Sequence, residues 1–519
     1  MALFPAALVF AADAPRVVVV QPILVSDDDG RGPAKIRIVE RMIDRVYARA
    51  GVDFHFLEPI AYRSSAARDG KIHVNEIVEA TKSSGLLRGD GRVINMLFVR
   101  AVNGKAAPNG LAQTPGSVVF IAQGDSSPLG QDAFVVAHES GHNLGLRHAV
   151  DDDRVPDDIP NLMGDGPYED RVGVDGLTDY QVEIVRRSPL VRPRVECLDA
   201  QEGRYWIEDE SFEPYFADMQ LREIVTLTAE AIEGGLEQCR RTARERFSAA
   251  VRDFDDRERA AIEAIVGSLR GRLSDDWPLL VAQPWRFIKV ANHLCGGFSH
   301  TRGLCIVFSE RTVQRIVGLH EAGDEMNALA RVGPLFVHEQ LHVLQRCYPE
   351  RFARLYEDAF GMVRGHVVTT DELERRRIGN PDAPRSEWVV RETDTSGVTR
   401  WFWPRTVIES DEAVPRMGRD FQALAVRVRE TGPRRFEVVT GEDGKAVSTP
   451  LESEKAYRAR LVSRRGIDHP NEIAAYALGR LLGVDHLGVE EREDHRELEA
   501  FRRWCREHLT THARRRRRL

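Results

Sequence analysis

Eleven consecutive residues of this chain have the types and spacing of a metal centre. His138-Glu139-Ser140-Gly141-His142-Asn143-Leu144-Gly145-Leu146-Arg147-His148 reads HExxHxxGxxH. Histidines four apart lie one turn apart on the same helix face, so both imidazoles can reach one ion. Glu139, between them, can take a proton from a water held on that ion and serve as general base. Gly145 can adopt the positive φ that ends a helix and turns the chain back. That turn delivers His148 as a third nitrogen ligand and leaves the fourth position of a Zn2+ ion for water and substrate. A second run, His338-Glu339-Gln340-Leu341-His342, repeats HExxH within an apolar helical stretch, with Pro334 suited to the first turn. It lacks the Gly-x-x-His extension, because Gln345 and Tyr348 stand at those positions. Glu339 sits between its histidines as Glu139 does and is the second candidate base.

The first run resembles the zinc signature of the metzincin metallopeptidases. Asn161-Leu162-Met163-Gly164 resembles the methionine turn that lies beneath the metal in that family, so the resemblance gives Met163 that place. Ala149, after the third histidine, and Asp165, two after Met163, are not the residues that mark particular subfamilies. The second run is similar to the gluzincins, which take their third ligand from a glutamate on a later helix. Asn471-Glu472-Ile473-Ala474-Ala475-Tyr476 matches the Asn-Glu start of their later motif, and Ala475 and Tyr476 depart from its remainder. The resemblance therefore implies Glu472 as third ligand, 130 positions beyond His342, with an inserted segment between them. Glu357 is the nearer competitor, if the helix breaks near Pro349 and the chain folds back. Together the resemblances imply a zinc-dependent endopeptidase acting on a protein or peptide through a metal-activated water, with a Zn2+ in each centre. The alternative is one active metzincin-like domain joined to a non-catalytic C-terminal domain that binds zinc or a protein.

These residues need elements to hold them. Arg16–Val25, Phe54–Leu57, Val93–Val99 and Ser117–Ala122 read as strands, residues 35–50 as an amphipathic helix, and the first motif helix is expected to begin near Asp132. A terminal helix is expected near Leu177–Ser188, and the Pro- and Arg-bearing stretch Ser188–Glu202 reads as a linker. Beyond it, residues 211–275 read as mostly helical, 286–309 as a hairpin, and Thr312–Val317 as the start of another helix. The segment 345–470 contains strand-like runs at Val389-Val390, Arg400–Trp403 and Phe436–Val439, plus a turn-rich loop, Asn380-Pro381-Asp382-Ala383-Pro384. The expected fold class is therefore α+β and multidomain: a metzincin-like mixed sheet with its motif helix over residues 15–195, then a mainly α, gluzincin-like domain over 205–510 with a β-containing insertion.

Whole-chain properties set further bounds. At 519 residues the chain is long enough for two or three domains. A net charge of −8 argues against a dedicated nucleic-acid partner. The arginine run Arg514–Arg518 in the tail, residues 511–519, is expected to be a solvated terminus. No stretch approaches the roughly 18 apolar residues of a membrane span. Leu3–Ala12, within residues 1–14, resembles the apolar stretch and small-residue end of a secretory signal without a basic segment before it, so export to a secreted or periplasmic location is expected. Six cysteines include no CxxC pair, and Cys295 and Cys305 are spaced to close a hairpin by a disulfide.

Overall fold

Arg16–Ser26 is rich in β-branched residues, and nearly every side chain along it is buried. A strand covered on both faces belongs at the centre of a parallel sheet. The computed structural model places it there, between Val52–Phe56 and Ile94–Val99, both parallel to it. Val118–Ala122 follows in parallel, and Asn109–Ala112 closes that side as an antiparallel edge. The sequence expectations for these strands agree with the observed spans to within two residues. The structure describes residues 16–107, 109–155, 160–164, 176–384, 386–393, 399–490 and 496–510. The signal-like start, Asp165 and the arginine tail lie outside the described residues. The chain divides into two units, Met1–Arg194 and Val195–Leu519.

In the first unit the motif helix spans Leu129–Asn143 and packs on the sheet face that also carries helix Glu40–Tyr47. Tyr47, fully buried, donates from its hydroxyl to the Ala137 carbonyl at 2.7 Å and ties the two helices together. The last helix, Asp179–Arg187, starts with a capping box between Thr178 and Gln181. The stretch expected to be a linker contains the division between the two units and carries two short strands. Arg192–Pro193 pairs with the central strand, and Val195–Cys197 pairs with Trp285–Val290 in the second unit's sheet.

Among the described residues, the second unit contains two sheets and a set of helices. One sheet runs Val195–Cys197, Trp285–Val290, Cys305–Ser309, His300–Arg302. The expected 286–309 hairpin is corrected here. Trp285–Val290 and Cys305–Ser309 are parallel neighbours, and the hairpin is the short one between His300–Arg302 and Cys305–Ser309. Cys295 and Cys305 are both free, buried thiols, so the expected disulfide is absent. Cys295 sits in a turn and Cys305 within a strand, each enclosed by the core. The second motif helix, Glu325–Cys347, begins at an Asp324 cap that accepts from the Asn327 amide. Pro334 therefore lies inside the helix, not in its first turn. Helix Pro470–Leu481 crosses it there, with Gly479 packed against Pro334. The residues between the two helices form helix Pro349–Asp358 and a seven-stranded sheet that includes Trp388–Thr393, Thr399–Ile408 and Phe421–Gly432. No helix among the described residues is long and apolar enough to cross a membrane. The chain is thus a multidomain α/β protein with mixed sheets.

Candidate metal centres

The first centre is built by one helix and the turn after it. His138 and His142 are both buried on helix Leu129–Asn143. Gly145 takes φ +102°, a value an L-residue rarely adopts, and the chain reverses to bring His148 back. The ligand nitrogens of His138, His142 and His148 lie within 4.8 Å of one another, and Nε2 of His142 is 3.2 Å from Nε2 of His148.

What fixes the rings is the hydrogen bond at the other nitrogen. His138 Nδ1 meets the Leu162 carbonyl at 2.8 Å and His142 Nδ1 meets the Leu146 carbonyl at 2.8 Å. A carbonyl only accepts, so each Nδ1 carries the proton and each Nε2 keeps its lone pair for a cation. The Leu162 carbonyl is held in turn. Asn161 Oδ1 accepts from the Met163 amide at 2.9 Å, and the Asn161 amide is clasped by Gln181 at 2.8 and 3.0 Å. Met163 is fully buried in the core beneath the motif helix, and its carbonyl accepts from the Ala149 amide at 2.8 Å, next to His148. Burial pushes the Glu139 carboxyl up to about 7. Gly110, on the edge strand, lies against that carboxylate so closely that a Cβ there would stand 2.4 Å from Glu139 Cγ.

The second centre joins residues far apart in sequence. His338 and His342 lie one turn apart, with Nε2 atoms 3.1 Å apart. Glu472, one turn into helix Pro470–Leu481, places Oε2 3.3 Å from His338 and Oε1 3.3 Å from His342. The structure therefore brings Glu472 to the pair. Glu357 instead forms an ion pair with Arg434 at 3.0 Å. Pro470 at the first position and the His469 ring, which accepts from the Asn471 amide, start the helix that carries Glu472. Gln345 links the two helices: its Oε1 accepts from His342 Nδ1 at 2.7 Å, and its Nε2 donates to the Asn471 carbonyl at 3.0 Å.

Electrostatics complete this centre. Burial alone would raise Glu472, but His342 and His338 hold its carboxyl well below the usual range. Glu339 is buried, and one of its oxygens, Oε2, has no hydrogen-bond partner. Burial, with the Asp382 and Glu472 charges, drives its carboxyl well above the usual range. His338, Glu339 and Glu472 open onto a cavity of about 980 Å³, also lined by Phe298, Asn380 and Tyr476.

No family model matches the chain, and no curated protein matches it. Among solved structures, archaemetzincin from Methanopyrus kandleri is similar at 17% identity, over 33% of this chain and 95% of that one, with a TM-score of 0.22.

Three contributors escaped the sequence reading. Asn380 donates from Nδ2 to Glu472 Oε1 at 2.8 Å, and Asp382 accepts at Oδ1 from the Thr301 amide and hydroxyl at 2.6 and 2.7 Å. Both belong to the turn-rich loop noted in the sequence, where Pro and Asp signalled a turn and nothing signalled what it would touch. Gly110 is the other: a single glycine in a strand marks a close backbone approach, but not to which side chain.

Both donor sets suit zinc. Three nitrogens in one centre, and two nitrogens with a carboxylate in the other, are sets that Zn2+ accepts while keeping a position open.

Proposed function

We propose that this chain is a zinc-dependent endopeptidase with two hydrolytic centres. One observation carries the reading: each converging trio of ligand atoms has a buried glutamate from the same helix beside it. A trio alone suits a structural ion; a trio with an adjacent base suits hydrolysis. His138, His142 and His148 would hold one zinc ion, and His338, His342 and Glu472 the other. Zinc bound there supplies Lewis acidity, polarising the scissile carbonyl and acidifying a water molecule.

The chain's own groups do the rest. Glu139 and Glu339 each accept the water's proton and return it to the leaving amine. The Leu162 and Leu146 carbonyls, and Gln345 in the second centre, keep the imidazoles in the tautomer that presents Nε2. The 980 Å³ cavity admits a chain segment at the second centre, with Phe298 offering an apolar contact.

Elemental analysis of purified protein tests the reading first. Wild type should carry two zincs per chain and His338→Ala one. Glu139→Gln and Glu339→Gln should each keep both zincs, and each should abolish the part of the casein hydrolysis that belongs to its own centre, by about 10²-fold or more. Full hydrolysis in the double Gln variant would refute Glu139 and Glu339 as the bases, and no casein hydrolysis by wild type with both metals bound would refute the peptidase reading.

A further inference from the structure

Apart from both histidine trios, the second unit holds a cavity of about 600 Å³ against its seven-stranded sheet. Arg364, Arg377, Arg405 and Arg434 all line it, together with Asp218 and the carboxylates of Glu374 and Glu387. Those carboxylates are already engaged. Glu374 accepts from Arg377 Nε at 2.6 Å, and Glu387 accepts from Arg364 Nε at 2.8 Å. Arg434 pairs with Glu357, which does not line the cavity.

Arg405 is left over. It is only 6% exposed, and its Nε is buried without a hydrogen-bond partner. Among the described residues its guanidinium has no ion pair. Its guanidinium lies over the face of Trp403, 4.4 Å from the ring centroid, and feels the charges of Glu374, Glu223 and Asp468 without pairing to them. That ring is itself fixed, because Trp403 Nε1 donates to the Ser386 carbonyl at 3.1 Å. Burial and then the charge of Arg377 bring Arg405 down to about 10. Charged side chains are rarely buried unless paired, and an arginine offers a planar fork that fits two oxygens of one anion.

We propose that this cavity binds a small organic anion, whose carboxylate or phosphate is gripped by Arg405. The tryptophan face holds the guanidinium plane, so the fork is set before the ligand arrives. The volume lies within the range of small-molecule sites and exceeds what a bare inorganic ion needs. The assignment is independent of the two metal centres, since it uses none of their residues.

Calorimetric titration of the full-length, zinc-loaded chain tests it, with sodium phosphate and sodium succinate in separate arms at fixed ionic strength and sodium chloride as reference. Saturable binding of at least one is expected, and the arm that responds gives the ligand's head group. Arg405→Gln should weaken it by at least about tenfold, and Arg405→Lys should weaken it less, keeping the charge without the fork. Arg429→Gln, an exposed arginine on the same sheet that does not line the cavity, should leave it unchanged. Removing an unpaired buried charge should also leave Arg405→Gln at least as stable as wild type in anion-free buffer. Absence of saturable binding in wild type, equal binding by Arg405→Gln, or marked destabilisation of that variant would each overturn the proposal.

Discussion

Asn380 has the plainest consequence of any single side chain. Its hydrogen bond to Glu472 Oε1 sets which way that carboxylate faces the two histidines. Partners of metal ligands are commonly worth 10- to 100-fold in affinity. Asn380→Ala should therefore weaken zinc at the second centre by roughly tenfold or more and leave the first centre unchanged, as read by competition with a chelating dye. Equal affinity in the variant would mean that Glu472 holds its orientation without help. Gly110 is the counterpart at the first centre. A methyl there would meet Glu139 Cγ at 2.4 Å, so Gly110→Ala must displace the carboxylate or the strand. The expected result is a full zinc complement with hydrolysis at that centre lowered by about tenfold or more, because general-base catalysis depends on reach. Unchanged hydrolysis would show that the edge strand yields freely.

Helix Glu40–Tyr47 carries a pH dependence of its own. Burial, then the charge of Asp44, pushes the Glu40 carboxyl from 4.5 up to about 8, and burial raises Asp44 from 3.8 to about 7. Asp44 stays in place because its Oδ1 accepts from the Phe54 amide at 2.8 Å. In the folded state both groups keep protons that the unfolded chain has already released, so unfolding releases protons and rising pH favours it. These two groups therefore cost the first unit stability progressively from about pH 4 to about pH 8. Glu40→Gln should slow hydrogen exchange in strand Arg16–Ser26, relative to wild type, more at pH 8 than at pH 5. An equal effect at both values would mean that Glu40 is ionised throughout.

For the whole molecule, the division at Arg194/Val195 puts one centre in each unit. Sites that share no residues and no hydrogen-bond chain behave additively. His138→Ala should lower zinc from two per chain to one without changing zinc affinity at the second centre. All seven tryptophans lie beyond Val195, so their fluorescence reports the second unit alone. Its urea midpoint should be unchanged in His138→Ala, and a shift would reveal coupling between the units.

Local spacing was enough to bring together the first candidate trio. Helix geometry puts His138 and His142 on one face, with Glu139 between them in sequence, and a positive-φ residue such as Gly145 allows His148 to return, so the sequence by itself determined which three histidines converge. The same held for the strands of the first sheet, whose unbroken apolar runs have few other uses. The second centre was half legible. His338 and His342 followed from periodicity, but the choice between Glu472 and Glu357 depended on how a 130-residue excursion returned, and pairing at that distance leaves no local trace. The interior position of Pro334, the parallel pairing of Trp285–Val290 with Cys305–Ser309, and the free thiols of Cys295 and Cys305 were likewise settled by tertiary packing. So was the isolation of Arg405: which charges are paired depends on distances between strands and helices that spacing along the chain does not encode.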